Sequence, residues 1–187
     1  MKTGSRIGFL DESGVSERPT VRRTWAPKGE VAIVRSTGSW KVRSVIGVLV
    51  SSPHGRYVRL FLRIFPGAIR SAAVVRFLKE FRCHLKGRLI LLWDGLAAHR
   101  SRETRTFLAT QKRWLAVERF PAYAPELNPV EYFWSAMKRK DLANACPDNL
   151  QGLDERIRLS GRRVRRHPAI LHGFLKASGL FGKKLST

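Results

Sequence analysis

Residues 88–100 read RLILLWDGLAAHR, and this stretch decides the fold. Arg88 to Trp93 is the most apolar run of the chain, with Gly87 before it and Asp94-Gly95 after it. A short run that is apolar at every position, rather than at every second one, predicts a strand buried on both faces. Such a strand sits in the middle of a sheet with helices on either side. This one ends on an aspartate, in a chain with 14 Asp and Glu against 36 Lys and Arg. Whether other acids reach the same point determines what Asp94 is for.

Working outward, IGFL at 7–10 predicts another short buried strand that closes at Asp11. A loop of turn and basic residues follows, and VAIVR at 31–35 predicts a strand after it, with Trp25 read as a core residue in preference to a wedge into DNA. VRSVIGVLVS (42–51) and RYVRLFLRI (56–64) predict paired strands around the turn SSPHG. Ser71 is placed to cap a helix over 72–85, whose apolar stripe of Val74, Val75, Leu78, Phe81 and Leu85 is interrupted by Arg82. A second helix is predicted over 102–111, a strand over 115–120, and a rigid loop at PAYAPELNP. The third helix starts at Pro129 and runs to about Asn144. From Asn149 onward the chain reads as helical and basic, with nine Lys or Arg and two acids after position 150. Strands first, then helix and strand in alternation, predict a mixed sheet flanked by helices.

The 187 residues carry a formal net charge of +22, which predicts a polyanionic partner, nucleic acid foremost. The hydrophobic content of 43% excludes a disordered chain. Cys83 and Cys146 stand far apart and read as reduced thiols of a cytosolic protein. No stretch approaches the ~20 apolar residues of a membrane span, and the start, MKTGSRIGFL, does not form a signal peptide.

Two acids occupy unusual positions. Asp11 and Asp94 both end strands predicted to be central, so neighbouring strands would bring them to one sheet edge. Like charges placed there call for a cation between them, and oxygen donors suit magnesium or manganese. The alternative for each alone is a turn or helix-cap role. A third acid comes from PELNPVEYFWSAMKRK. Asn128 is a good N-cap, Pro129 suits the first turn, and Glu131 falls where it can complete a capping box. Helical spacing makes Val130, Phe133, Trp134 and Met137 the core face and leaves Glu131 at its border, able to lean over the sheet edge. Glu126, in the preceding loop, is its competitor. Three carboxylates so placed can hold two metal ions for phosphoryl displacement.

FLDESGVSERPTVRRTWAPKG, WDGLAAHRS and FPAYAPELNPVEYFWSAMKR closely resemble the catalytic domain of Tc/mariner DDE transposases. The likeness is greatest to the bacterial insertion sequence 630 group. The resemblance covers about residues 6–140 and implies a ribonuclease-H-like fold, a mixed five-stranded sheet flanked by helices. It implies Asp11, Asp94 and Glu131 as a catalytic, metal-binding triad, with 36 residues between the last two. It further implies a two-magnesium requirement (manganese possible) and cut-and-paste transposition into TA dinucleotides. The partner would be double-stranded DNA, transposon ends and target, bound by a homodimer near the bacterial nucleoid in the cytoplasm. His99 matches a recurrent histidine and is a supporting or DNA-contact residue; Asn128 shapes the start of the helix behind Glu131. Arg22, Arg23 and Lys28 are phosphate-contact candidates, as are Arg162, Arg163, Arg165 and Arg166 in the C-terminal helices.

On this reading 1–145 is the catalytic domain and 146–187 a basic helical extension. The N-terminal helix-turn-helix region of the family is expected to be a separate or frameshift-joined part. The competing expectation is a truncated, inactive remnant that only binds DNA. A ribonuclease-H-type or junction-cutting nuclease would explain the acids but not PELNPVEYFW.

Overall fold

The computed structural model describes residues 4–36, 39–121 and 123–180. Leu89–Trp93 is a strand (β4) in the interior of a five-stranded sheet, with Leu89, Leu91 and Trp93 buried. The other strands are β1 (Arg6–Ser16), β2 (Val42–Ser51), β3 (Val58–Phe65) and β5 (Leu115–Arg119), in the spatial order β3-β2-β1-β4-β5. The first three form an antiparallel meander, whereas β1, β4 and β5 run parallel. The sheet is therefore mixed and helix-flanked, as expected from the order of elements.

Strand alternation sends successive residues to opposite faces, and two apolar cores result. Phe9, Val45, Leu49 and Leu60 pack with α4 (Pro129–Ala136), α5 (Leu150–Arg166) and α6 (Pro168–Ala177). Leu10, Ile46, Val48 and Leu91 pack on the other face with α1 (Ser71–Cys83), and Phe107 and Leu108 of α3 (Arg102–Thr110) join them. A short helix, α2 (Ala97–Arg100), lies between β4 and α3. Residues 146–180 do not stand apart: Leu153, Ile157, Val164, Leu171 and Leu175 complete the first core.

Several expectations are corrected. β1 does not close at Asp11 but continues to Ser16, because β2 pairs with it residue for residue down to Ser16↔Val42. Its parallel partner is what stops, at Phe9↔Leu92. Residues 31–35 form no strand; no neighbour offers them a ladder, and Val31 and Ile33 lie exposed. Trp25 is not in the core but 99% exposed in the same basic segment. That segment is tied down at its base, where Asn144 exchanges two hydrogen bonds with the backbone of Arg22.

Ser71 is the first residue of α1 rather than its cap; Arg70 occupies the cap position without a side-chain bond. Arg82, the odd member of the α1 stripe, has a role at the helix end: its guanidinium donates to the Leu85 carbonyl and lies over the Trp114 ring. The third helix is shorter than expected, passing after Ala136 into a π-helical turn over Met137–Asp141.

Candidate active site

The register of the parallel pair explains how two acids meet. Phe9 lies opposite Leu92, so two residues further on Asp11 comes level with Asp94, where β4 has ended and the site is open. Asp11 shares its face with Phe9, toward α4, while Glu12 falls on the opposite face with Leu10. Asp11, Asp94 and Glu131 line one cavity of about 400 Å³, together with Arg119, Tyr123 and Asn128. The structure thus brings the three predicted acids to one place.

Helix α4 is fastened to β1 on either side of Asp11. Asn128 caps the helix, its Oδ1 accepting from the Val130 amide at 3.2 Å, while its Nδ2 donates to the Leu10 carbonyl at 3.3 Å. The expected reciprocal capping box is replaced by this link, so the Glu131 side chain is not spent on the cap. Trp134 Nε1 donates to Asp11 Oδ2 at 2.8 Å, and Lys138 Nζ donates to Ser13 Oγ at 2.7 Å. Trp134 gets this close because its ring lies on Gly47, directly across the ladder from Asp11. A Cβ at Gly47 would sit 2.9 Å from two ring carbons.

Burial pushes the Asp11 carboxyl up to about 7, and the neighbouring Glu131 carboxylate adds to the rise; the Trp134 bond only partly offsets it. Asp94 behaves in the opposite way. Its burial is outweighed by bonds from His99 and the Leu96 amide, which hold it below the usual carboxylate range. Burial works against a charged His99, yet its bonds to Asp94 and Glu12 carry it up to about 9, so the ring is cationic.

The donors on the cavity are carboxylate oxygens, and a half-protonated acid beside another carboxylate is an arrangement that a divalent cation would relieve. Asp11, Asp94 and Glu131 therefore fit a hard divalent ion. Among the described residues, the group whose ligand atoms all lie within 4.8 Å of one another is Glu12, Asp94 and His99, close enough to hold an ion. There the ring turns one nitrogen to each carboxylate. A larger cavity of about 530 Å³ at the other end of the strands is lined by Arg6, Arg59, His84 and Lys86 and offers no carboxylate.

The basic candidates separate by environment. Arg22, Arg23, Lys28, Arg162, Arg165 and Arg166 are exposed. Arg163 is committed to Asp141 at 2.8 Å. Glu126 is exposed in a short 3-10 turn and does not line the acid cavity. Sequence reasoning passed over Glu12, Arg119, Trp134 as a donor, and Tyr123. The last is fully exposed at the cavity rim in the left-handed conformation, φ 57°. The adjacent acids of LDES were a legible signal for Glu12, since a strand sends them to opposite faces.

A mixed sheet in this order, with helices on both faces, defines the ribonuclease-H-like class. A family model for DDE superfamily endonucleases matches residues 6–154, and the chain belongs to that family. Among solved structures its fold is similar to the Mos1 strand transfer complex, at 19% identity and a TM-score of 0.58, over 92% of this chain and 54% of that one. The crystal structure of the catalytic domain of Mos1 mariner transposase matches at 18% identity and a TM-score of 0.51, over 92% and 82%. A simian T-cell lymphotropic virus intasome matches at 12% identity and a TM-score of 0.51, over 81% and 53%. The chain thus spans about half the length of the Mos1 chain in its strand transfer complex. A comparison with curated proteins yields no match.

Proposed function

We propose that this chain is the catalytic domain of a DDE transposase of the Tc/mariner type, of the insertion sequence 630 group. It cleaves DNA strands at transposon ends and joins them to a TA target. The single observation that supports this most is the convergence of Asp11, Asp94 and Glu131 on one cavity of a protein carrying a net charge of +22. In this reading the three carboxylates hold two magnesium ions, with manganese as a substitute. Ions held there would supply activation of a water or 3′-hydroxyl nucleophile and charge stabilisation at the leaving oxygen.

The chain's own residues prepare that step. Trp134 and Asn128 hold Asp11 and the start of α4, which carries Glu131. Exposed Arg22, Arg23 and Lys28 bind backbone phosphate, and Arg119 meets the strand at the cavity wall. The active assembly is a homodimer on DNA, working in the bacterial cytoplasm with a helix-turn-helix part that recognises the ends. Residues 1–145 carry the three acids, and within the basic extension 146–187 the helices α5 and α6 pack on the same core and add DNA contacts.

The test is incubation of the purified protein with labelled DNA bearing the element's ends, in magnesium, manganese or chelator, beside Asp94→Asn. Metal-dependent nicking or joining that Asp94→Asn reduces by at least a hundredfold is expected. The high positive charge also favours a second reading, a DNA-binding remnant without catalysis. Binding that ignores both metal and the substitution, with no cleavage, would establish that reading instead.

A further inference from the structure

Asp94 stands just past the end of β4 with its side chain 43% exposed, a poor position for a carboxylate that must present one oxygen accurately. It is nevertheless held. His99 Nδ1 lies 2.9 Å from Asp94 Oδ1, and the Leu96 amide donates to the same oxygen at 3.0 Å. Both contacts fall on Oδ1, so Oδ2 is the oxygen available to the cavity. The imidazole is in turn held from two sides. It stacks flat on Trp93, with ring centroids 4.1 Å apart and planes 2° from parallel, and its Nε2 lies 2.9 Å from Glu12 Oε1.

We propose that Glu12 and His99 are a positioning pair that sets the orientation of the Asp94 carboxylate from the side of the sheet opposite α4. The inference rests on the reading of Asp94 as a metal-binding residue. Asp11 and Glu12 then divide the work: Asp11 enters the cavity on the α4 face, while Glu12 reaches under β4 to anchor the ring that anchors Asp94. Packing alone does not account for Glu12. A histidine stacked on tryptophan and bonded to Asp94 is already satisfied on one edge, and the backbone carbonyl of Asp94 also lies within 3.2 Å of Nδ1. The carboxylate is itself largely buried and leaves Oε2 without a hydrogen-bond partner, a desolvation cost that the bond to His99 has to offset. Such a cost is expected where a group serves a site. One ring nitrogen faces Asp94 and the other Glu12, so in this arrangement His99 acts through Asp94.

The test measures manganese binding to the DNA-free protein by electron paramagnetic resonance, beside thermal melting in chelator. The variants are Glu12→Gln, His99→Phe, the double variant and Asp94→Asn. Glu12→Gln is expected to bind manganese about tenfold more weakly, at the low end for groups that orient a metal ligand, whatever its effect on melting. His99→Phe, which keeps the stack on Trp93, is expected to weaken binding to the same degree, and the double variant to add nothing further. Lower melting with unchanged manganese affinity in both single variants would overturn the proposal in favour of a purely structural pair. Loss of an entire manganese equivalent in Glu12→Gln would overturn it differently, by making Glu12 a ligand. If Asp94→Asn leaves manganese binding intact, the reading of Asp94 fails instead, whatever the Glu12 result.

Discussion

At the scale of single residues, Asp11 is the group whose chemistry is most altered by its surroundings. Its carboxyl is raised from 3.8 to about 7, first by burial and then by Glu131. A raised carboxylate favours the protonated folded state. Its stabilising contribution is therefore complete below the unfolded value near 4 and is lost as the pH rises toward 7. Above that, the metal-free protein carries a buried, repelled charge. Asp11→Asn removes the charge and can keep the bond from Trp134, so it should raise the melting temperature in chelator at pH 8 and do little at pH 4. At about 1.4 kcal/mol per unit, the gain has a ceiling of about 4 kcal/mol. Melting curves at the two pH values check this, and a variant that is no more stable at pH 8 would refute the assignment of strain to Asp11.

At the scale of elements, the contact between α4 and the meander decides whether the acids meet. Gly47 is the narrow point, since any side chain there collides with Trp134. Gly47→Val should cost about 1–3 kcal/mol through overpacking. It should also lower cleavage far more than that loss of stability implies, because the displaced ring releases Asp11. Asn128→Ala should cost about 1 kcal/mol for the lost cap and loosen the link to Leu10. Thermal melting together with single-turnover cleavage separates the two effects in each case. Element types were legible in the sequence, but ends were less so. The β1 boundary was set by β2, whose Val42 pairs with Ser16 from 26 residues away, and the VAIVR stretch failed as a strand for want of any partner.

At the scale of the whole molecule, a net charge of +22 is a statement about DNA and salt. Affinity should fall steeply with salt, and each phosphate contact removed should lower the log–log slope by about one. Replacing Arg22, Arg23 and Lys28 together by alanine is expected to reduce the slope by about three and leave the melting temperature nearly unchanged. Arg163→Ala should do the reverse, because its guanidinium is paired with Asp141 between α5 and the π-helical turn. Salt titrations of DNA binding beside melting curves distinguish a solvated cation from a structural one. Composition treats these arginines alike; their neighbours in the fold do not.

What depends on short-range order was legible in the residues alone. The all-apolar run before Asp94 demanded a central strand, the spacing of Val130, Phe133, Trp134 and Met137 gave α4 its buried face, and Asn128-Pro129 started that helix. These follow from strand and helix periods and from capping, which need no distant partner. Long-range packing made β1 run on past Asp11, left Trp25 in solvent and paired Arg163 with Asp141. It alone placed Glu12 against His99 and Trp134 against Asp11. Each of those outcomes is a pairing across many residues of chain, and a buried polar or charged group takes its meaning from the one partner that the fold brings within 3 Å.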